Sequence, residues 1–177
     1  RENQIMPFDL ESVDPGKGNG SVVLEKSYRI IELKRDDPES VSLLLPFIDR
    51  LMAFSETYRG DMLSDVLRNM VFTAFHTGSD AWKLLVALDE SGKIIGHSVA
   101  DIEPYGLLGN VVFIIQIEKD VNIPGLMNDG FKIINKWAAK YKIKHILNMA
   151  LTEAHARLYE KEFGFKPYRW LMKLDTE

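Results

Sequence analysis

The sequence predicts an α/β (α+β) chain, a single domain with a mixed, mostly antiparallel central sheet and helices on both faces. Two observations carry this. Between residues 82 and 103, two β-rich runs flank Asp89-Glu90-Ser91-Gly92, a strong signal for an antiparallel hairpin. Further on, a β-rich run at 110–119, an amphipathic helical pattern and a second β-rich run at 143–151 follow one another as a βαβ crossover does, which implies a parallel pair. A sheet containing both kinds of pairing is covered on two sides.

The elements follow in order. Residues 1–20 are polar and broken by Pro7, Pro15, Gly16, Gly18 and Gly20, and read as an extended or disordered arm with no core of its own. Residues 21–177 carry the domain. SYRIIELK, 27–34, predicts the first strand. Asp37 can cap and Pro38 open the first helix, along which Val41, Leu44, Leu45, Ile48, Leu51 and Met52 recur at helical spacing. Pro46 within that pattern predicts a kink or a split. Residues 61–75 repeat the helical period through Leu63, Val66, Leu67, Met70, Val71 and Ala74. In the second strand of the hairpin, Gly96 predicts a bulge or a close backbone approach. After the turn at Pro104-Tyr105-Gly106 and the strand at 110–119, a helix presents Leu126, Gly130, Ile133, Ile134, Trp137, Ala138 and Tyr141 on one face. A strand at 143–151, a helix at 152–163 and a final strand at 168–174 complete the order β-α-α-β-β-β-α-β-α-β.

Composition narrows the function classes. A chain of 177 residues suits one domain with a sizeable core. The formal net charge of −4, without a large basic cluster, argues against a nucleic-acid partner, because neutralising phosphates takes a basic face. The run Lys140 to Lys144 reads as a helix C-terminus stabilised by cations. The absence of cysteine removes disulfides, thiolate nucleophiles and cysteine metal sites, and fits a reducing, cytoplasmic compartment. The four histidines lack metal-ligand spacing, so no metal is expected. No GxSxG, P-loop or GxGxxG is present. No apolar run approaches the ~18 residues of a membrane span. No signal peptide is visible, and the chain begins at Arg1 rather than Met, so it reads as a trimmed piece of something longer.

Three stretches, in this order, carry a resemblance: VALDESGKIIGHSVADI, FKIINKWAAKYKIKHI and TEAHARLYEKEFGFKP. Together they resemble the GNAT superfamily of acetyl-CoA-dependent N-acetyltransferases, over roughly residues 28–175. The third is close to the family's NxxAxxLYEKxGF signature, with one extra residue before Gly164. The resemblance implies a bulge in the fourth strand that splays it from the fifth, with the pantetheine arm of acetyl-CoA pairing with the exposed main chain at Gln116 and Ile117. It implies a pyrophosphate loop of the form [QR]xxGx[GA] at the start of the central helix, whose positive end adds to the site. Aligned back from Trp137, that loop falls on Asn122, Ile123, Pro124, Gly125, Leu126 and Met127. One glycine survives, the long polar side chain is shortened to Asn122, and Pro124 has no N–H to donate. Met127 brings bulk where close approach to phosphate favours a minimal side chain.

The resemblance also suggests roles. Tyr159 matches the family's tyrosine, a proton donor to the leaving thiolate, and on the helix pattern alone it is equally a core aromatic. Thr152 stands at the family's asparagine, a cofactor contact, and is equally an N-cap. Glu118, late in the fourth strand, is the candidate base, acting through water, or a solvated strand-end carboxylate. His97 and Glu103 on the third strand are further candidates for the acceptor side. Earlier in the fourth strand, where several family members carry their base, the sequence is VVFII.

Two functions follow. The first is an N-acetyltransferase moving acetyl from acetyl-CoA to a primary amine, on a small molecule or a protein, by direct attack. Glu56, Tyr58, Arg59 and Asp61, near the junction of the first two helices, would meet a cationic acceptor. The second is a GNAT-shaped binding or assembly module that has lost coenzyme binding, tied to a protein partner by the N-terminal arm, for example within a larger particle such as a phage. Pro124, Asn122, Met127 and the missing early base motivate it.

Overall fold

The computed structural model describes residues 27–58, 64–119, 123–150 and 152–168. The N-terminal arm, Arg59, Asp61, Asn122, Trp170 and the final strand beyond Tyr168 lie outside the described residues.

The first strand, β1 (Tyr28–Glu32), leads into α1 (Pro38–Tyr58). Asp37 caps α1 as the sequence implies: its carboxylate accepts from the Ser40 N–H at 3.0 Å, and its carbonyl accepts from the Val41 N–H. Pro46 does not split α1, which runs as one helix of 21 residues. Its ring lies on the exposed face. The buried stripe of α1 is Leu44, Phe47, Ile48 and Leu51. Val41 and Leu45, which share the apolar period, are instead exposed at 54% and 61%. Phe47 takes their place because the stripe of a 3.6-residue helix admits only one arc. In α2 (Ser64–Thr77) the same sorting buries Leu67, Val71, Ala74 and Phe75 and leaves Val66 and Met70 half outside.

β2 (Trp82–Asp89) and β3 (Ile94–Pro104) form the expected hairpin, with Gly92 at φ 85° in its turn. After a short 3-10 turn come β4 (Asn110–Lys119), α3 (Leu126–Lys140), β5 (Ile146–Asn148) and α4 (Glu153–Phe163). The sheet order is β1-β2-β3-β4-β5, antiparallel throughout except for the parallel pair β4–β5. α1 and α2 cover one face around Phe47, Leu51, Val71 and Val99. The other face packs on α3, where Phe131, Ile134 and Trp137 are buried. Phe131, absent from the face read off the sequence, receives α4: its ring centroid is 4.5 Å from that of Phe163 and 5.5 Å from that of Phe165. Trp137 is a core aromatic whose indole N–H donates to the Asp80 carbonyl.

Gly96 satisfies both expectations made of it. The β2–β3 register slips beside it, pairing Ala87 with Gly96 and Leu88 with Ile94, so Ile95 is the extra residue of a bulge. On its other side, a Cβ at Gly96 would stand 2.9 Å from the Glu118 carbonyl oxygen. β5 is shorter than the sequence suggests, for a reason that defines the site.

Two glycine substitutions should act with opposite sign in thermal denaturation. Gly96→Ala forces β3 from β4 and should cost about 1–3 kcal/mol. Gly130→Ala, in the interior of α3 with nothing within 4 Å of the new methyl group, should add about 0.5–1 kcal/mol.

Candidate active site

Along β4 the side chains alternate between faces until Ile114, which packs against α3, and Ile115, which packs against α1 and α2. The next residue should return to the α3 face. Instead Gln116 stays on the α1 side, its amide donating to the Leu51 carbonyl at 3.4 Å. The ladder records the same event: Val99 pairs with Gln116 and Ala100 with Ile114, leaving Ile115 unpaired in a β-bulge. The bulge turns the rest of β4 away from β5. Their parallel pairing covers only Val112–Ile146, Phe113–Leu147 and Ile114–Asn148, and ends there.

A cleft of about 500 Å³ fills the opening. Of the residues singled out from the sequence, Gln116, Ile117, Glu118, Gly125, Met127 and Tyr159 line it. It runs to the start of α3, where Gly125 adopts the left-handed conformation (φ 83°, ψ −18°) and precedes the first helical turn. The N–H groups of a first turn have no partners within their helix, and the helix dipole makes that end positive. Gly125 is braced from below. A Cβ there would be 3.3 Å from the Tyr28 hydroxyl, which donates to Asp129 Oδ2 at 2.7 Å. That bond and burial push the Tyr28 hydroxyl up to about 12, with burial the larger cause.

The predicted coenzyme contacts Thr152 and Leu126 do not line the cleft with their side chains. Thr152 caps α4, accepting from the His155 N–H at 3.1 Å, and the Leu126 side chain is buried with Tyr28, Ala87 and Ile95. Residues that sequence reasoning passed over do line it: Asn148, His155, and Phe54 from α1. The signal for Asn148 was a polar residue ending an apolar strand. Gln116 Oε1 is buried with no hydrogen-bond partner among the described residues, an acceptor left for something in the cleft, and the buried Asn148 Nδ2 has the Tyr159 hydroxyl beside it without a hydrogen bond of normal geometry. Burial pushes the Tyr159 hydroxyl up, with the neighbouring Asn148 amide pulling it down more weakly, so the phenol keeps its proton through neutral pH.

On the α1 side of the cleft, Arg50, His97 and Glu118 form one cluster. Arg50 donates to Glu118 Oε1 and to the Ile94 carbonyl, each at 3.2 Å. His97, almost fully buried, has Nδ1 3.2 Å from Glu118 Oε2 and Nε2 2.9 Å from the Gln116 amide nitrogen. Glu103 lies farther along β3, opposite Val111. No group of residues suited to hold a metal occurs among the described residues, and none of their helices is long and apolar enough to cross a membrane.

The chain has the fold of solved GNAT-type acetyltransferases. Glucosamine-6-phosphate N-acetyltransferase from Arabidopsis thaliana superposes with a TM-score of 0.60 at 15% identity, covering 86% of this chain and 100% of that one. A predicted acetyltransferase from Clostridium acetobutylicum, solved with acetyl-CoA, gives 0.59 at 16% identity over 84% and 94% of the two chains. An aminoglycoside acetyltransferase from an uncultured soil metagenomic sample, in complex with sisomicin, gives 0.59 at 14% identity over 85% and 97%. At such identities the likeness is one of fold. No protein-family model matches the sequence, and no curated protein matches it.

Asp101 is another residue that the sequence did not single out. It sits on β3 opposite Phe113. Its Oδ1 is buried without a partner among the described residues. Burial first, then the charge of Glu103, raises its carboxyl to about 6. The native state therefore binds this proton more tightly than the unfolded chain, and the stability it contributes at low pH is lost as pH rises from about 4 through 6. Asp101→Asn should gain about 1 kcal/mol at pH 7.5, a figure already reduced for a half-exposed group, and nothing at pH 3.5. Thermal melts of the two proteins at both values check this.

Proposed function

We propose that the protein is an N-acetyltransferase that moves acetyl from acetyl-CoA to a primary amine by direct attack. The observation that supports it most is the parting of β4 from β5 at Ile115, which opens a cleft from Tyr159 to the N-terminus of α3.

The residues present fit the coenzyme. The main chain of Gln116 and Ile117, beyond the last β4–β5 pair, would hold the pantetheine arm, and the orphaned Gln116 Oε1 complements its amides. Gly125 and Met127 would hold the pyrophosphate through backbone N–H groups at the positive end of α3, with Asn122 before them and with the Leu126 N–H joining once it leaves the Ile123 carbonyl; Thr152, used as the α4 cap, takes no part. Pro124 adds no donor, so the helix end carries more of this task than the loop. When bound, the coenzyme supplies an acyl group activated as a thioester. Proton handling falls to the chain itself. Glu118 takes the proton of the incoming ammonium through a water, and Tyr159 Oη, kept protonated by burial, is the donor to the departing sulfur. The solved aminoglycoside acetyltransferases of the same fold support a small-molecule amine as acceptor.

Calorimetric titration of acetyl-CoA tests this reading. Micromolar affinity, about −8 kcal/mol, is expected. Met127→Glu should weaken it at least tenfold, because it sets a carboxylate beside the pyrophosphate, while leaving the fold intact, since an acid in the first helical turn is favourable. Tyr159→Phe should keep the affinity and lower kcat by about a hundredfold. Absence of binding at millimolar acetyl-CoA would select the alternative, a GNAT-shaped binding module, to which the missing donor at Pro124 already points.

A further inference from the structure

The acetyl-transfer reading leaves the cluster on the α1 side of the cleft without a stated purpose. Glu118 lies on the part of β4 that has left β5, where no ladder partner on that side fixes the strand. On its other edge the strand pairs with β3, His97 opposite Glu118, and the carboxylate itself is held from the α1 side. Two side chains among the described residues hold it. The Arg50 guanidinium bridges Glu118 Oε1 and the Ile94 carbonyl at 3.2 Å each, and its Nε lies 3.3 Å from His97 Nδ1. His97 Nδ1 stands 3.2 Å from the second carboxylate oxygen, an ion pair when the ring is protonated; in the neutral ring that nitrogen accepts from the Arg50 Nε–H instead. The far nitrogen of His97 meets the Gln116 amide, which in turn donates to the Leu51 carbonyl of α1. Both ring nitrogens are thereby engaged, and Phe47 and Phe54 close on the ring edge-on, with centroids 5.7 and 6.3 Å away. This histidine is set to hold a neighbour.

We propose that Arg50 and His97 are positioning residues for Glu118: they tie the splayed end of β4 to α1 and keep the Glu118 carboxylate ionised and aimed at the acceptor side of the cleft. The inference rests on the acetyl-transfer reading and deepens it. Arg50 and Glu118 are mostly buried, with side-chain exposures of 17% and 21%, so their attraction is less screened than that of a surface pair. Among the described residues, the other charged or titratable groups about Glu118 include His97 on β3, Lys119 on its own strand, and His155 and Glu162 of α4, which line the same cleft.

Removing a cation beside a carboxylate favours its protonated form. In Arg50→Met the acid limb of the kcat/KM profile against pH should move upward by about one pH unit. Arg50→Lys should restore part of that shift. Side-chain carboxyl NMR, with Glu118→Gln for assignment, should show the Glu118 midpoint moving by the same amount, and this measurement needs no activity. Affinity for acetyl-CoA should change less than threefold in Arg50→Met, since Arg50 does not line the coenzyme cleft. His97→Asn should lower kcat with little effect on KM for the coenzyme.

An NMR midpoint that stays in place in Arg50→Met overturns the proposal, as does a midpoint that moves while the rate profile does not. If Glu118→Gln keeps full activity, the assignment of the base fails and the proposal with it, while coenzyme binding still supports the fold-level reading. If no acetyl-CoA binds to the wild type, the acetyl-transfer reading itself has failed.

Discussion

The unpaired Ile115 in β4 is the constraint on which the rest of the molecule depends. One extra residue sets two consecutive side chains on the same face and redirects the strand. Before the bulge, β4 is an ordinary central strand, paired on both edges. After it, β4 belongs to the antiparallel half alone, and its other edge faces a cleft. Backbone groups on that edge must be satisfied by something. The structure offers no fifth-strand partner for them, and it leaves a buried amide oxygen in the same space.

The neighbouring devices follow from that opening. A splayed strand end needs an anchor, and the bridge from Arg50 to Glu118, with His97 and Gln116 behind it, supplies one to α1. The turn into α3 needs a floor, and the Tyr28 hydroxyl beneath Gly125 supplies it while donating to Asp129, an acid favourably placed in the first turn of the helix. The close pass of Gly96 beside the Glu118 carbonyl brings β3 against β4 where β5 is missing.

The fold was legible because periodicity, capping residues and turn chemistry agreed. The hairpin at Asp89–Gly92, the cap at Asp37 and the strand-helix-strand crossover each rest on a local signal. The two expectations for Gly96 were legible for the same reason, as a glycine within a strand has few uses. The bulge at Ile115 was not legible from composition, because VVFIIQIEK reads as one unbroken strand; only the resemblance implied it. The short β5 was hidden for the same reason, since pairing with β4 sets its end and its own residues do not. Buried stripes were misread at Val41 and Leu45 because an apolar residue one step off the arc looks the same in a period count as one within it. The cluster of Arg50, His97 and Glu118 joins residues far apart in the chain, and no spacing rule connects them. Glu118 and His97 were chosen separately, and Arg50, the group that joins them, was passed over.

The two walls of the cleft are unequally built. The α1 wall stands on side chains with no exposure, including Phe47 and Leu51, and on a four-stranded antiparallel ladder. Among the described residues the opposite wall is β5, three residues paired with β4, and α4, which has no fully buried residue. Local opening costs least where few apolar contacts and few ladder bonds must be broken. Amide hydrogens of β5 and α4 should therefore exchange through excursions well below the energy of global unfolding, while those of β2 and β3 wait for it. Tyr159 rides on the softer wall and Glu118 on the harder one. The width of the cleft is thus an equilibrium property, governed by how α4 leans on Phe131.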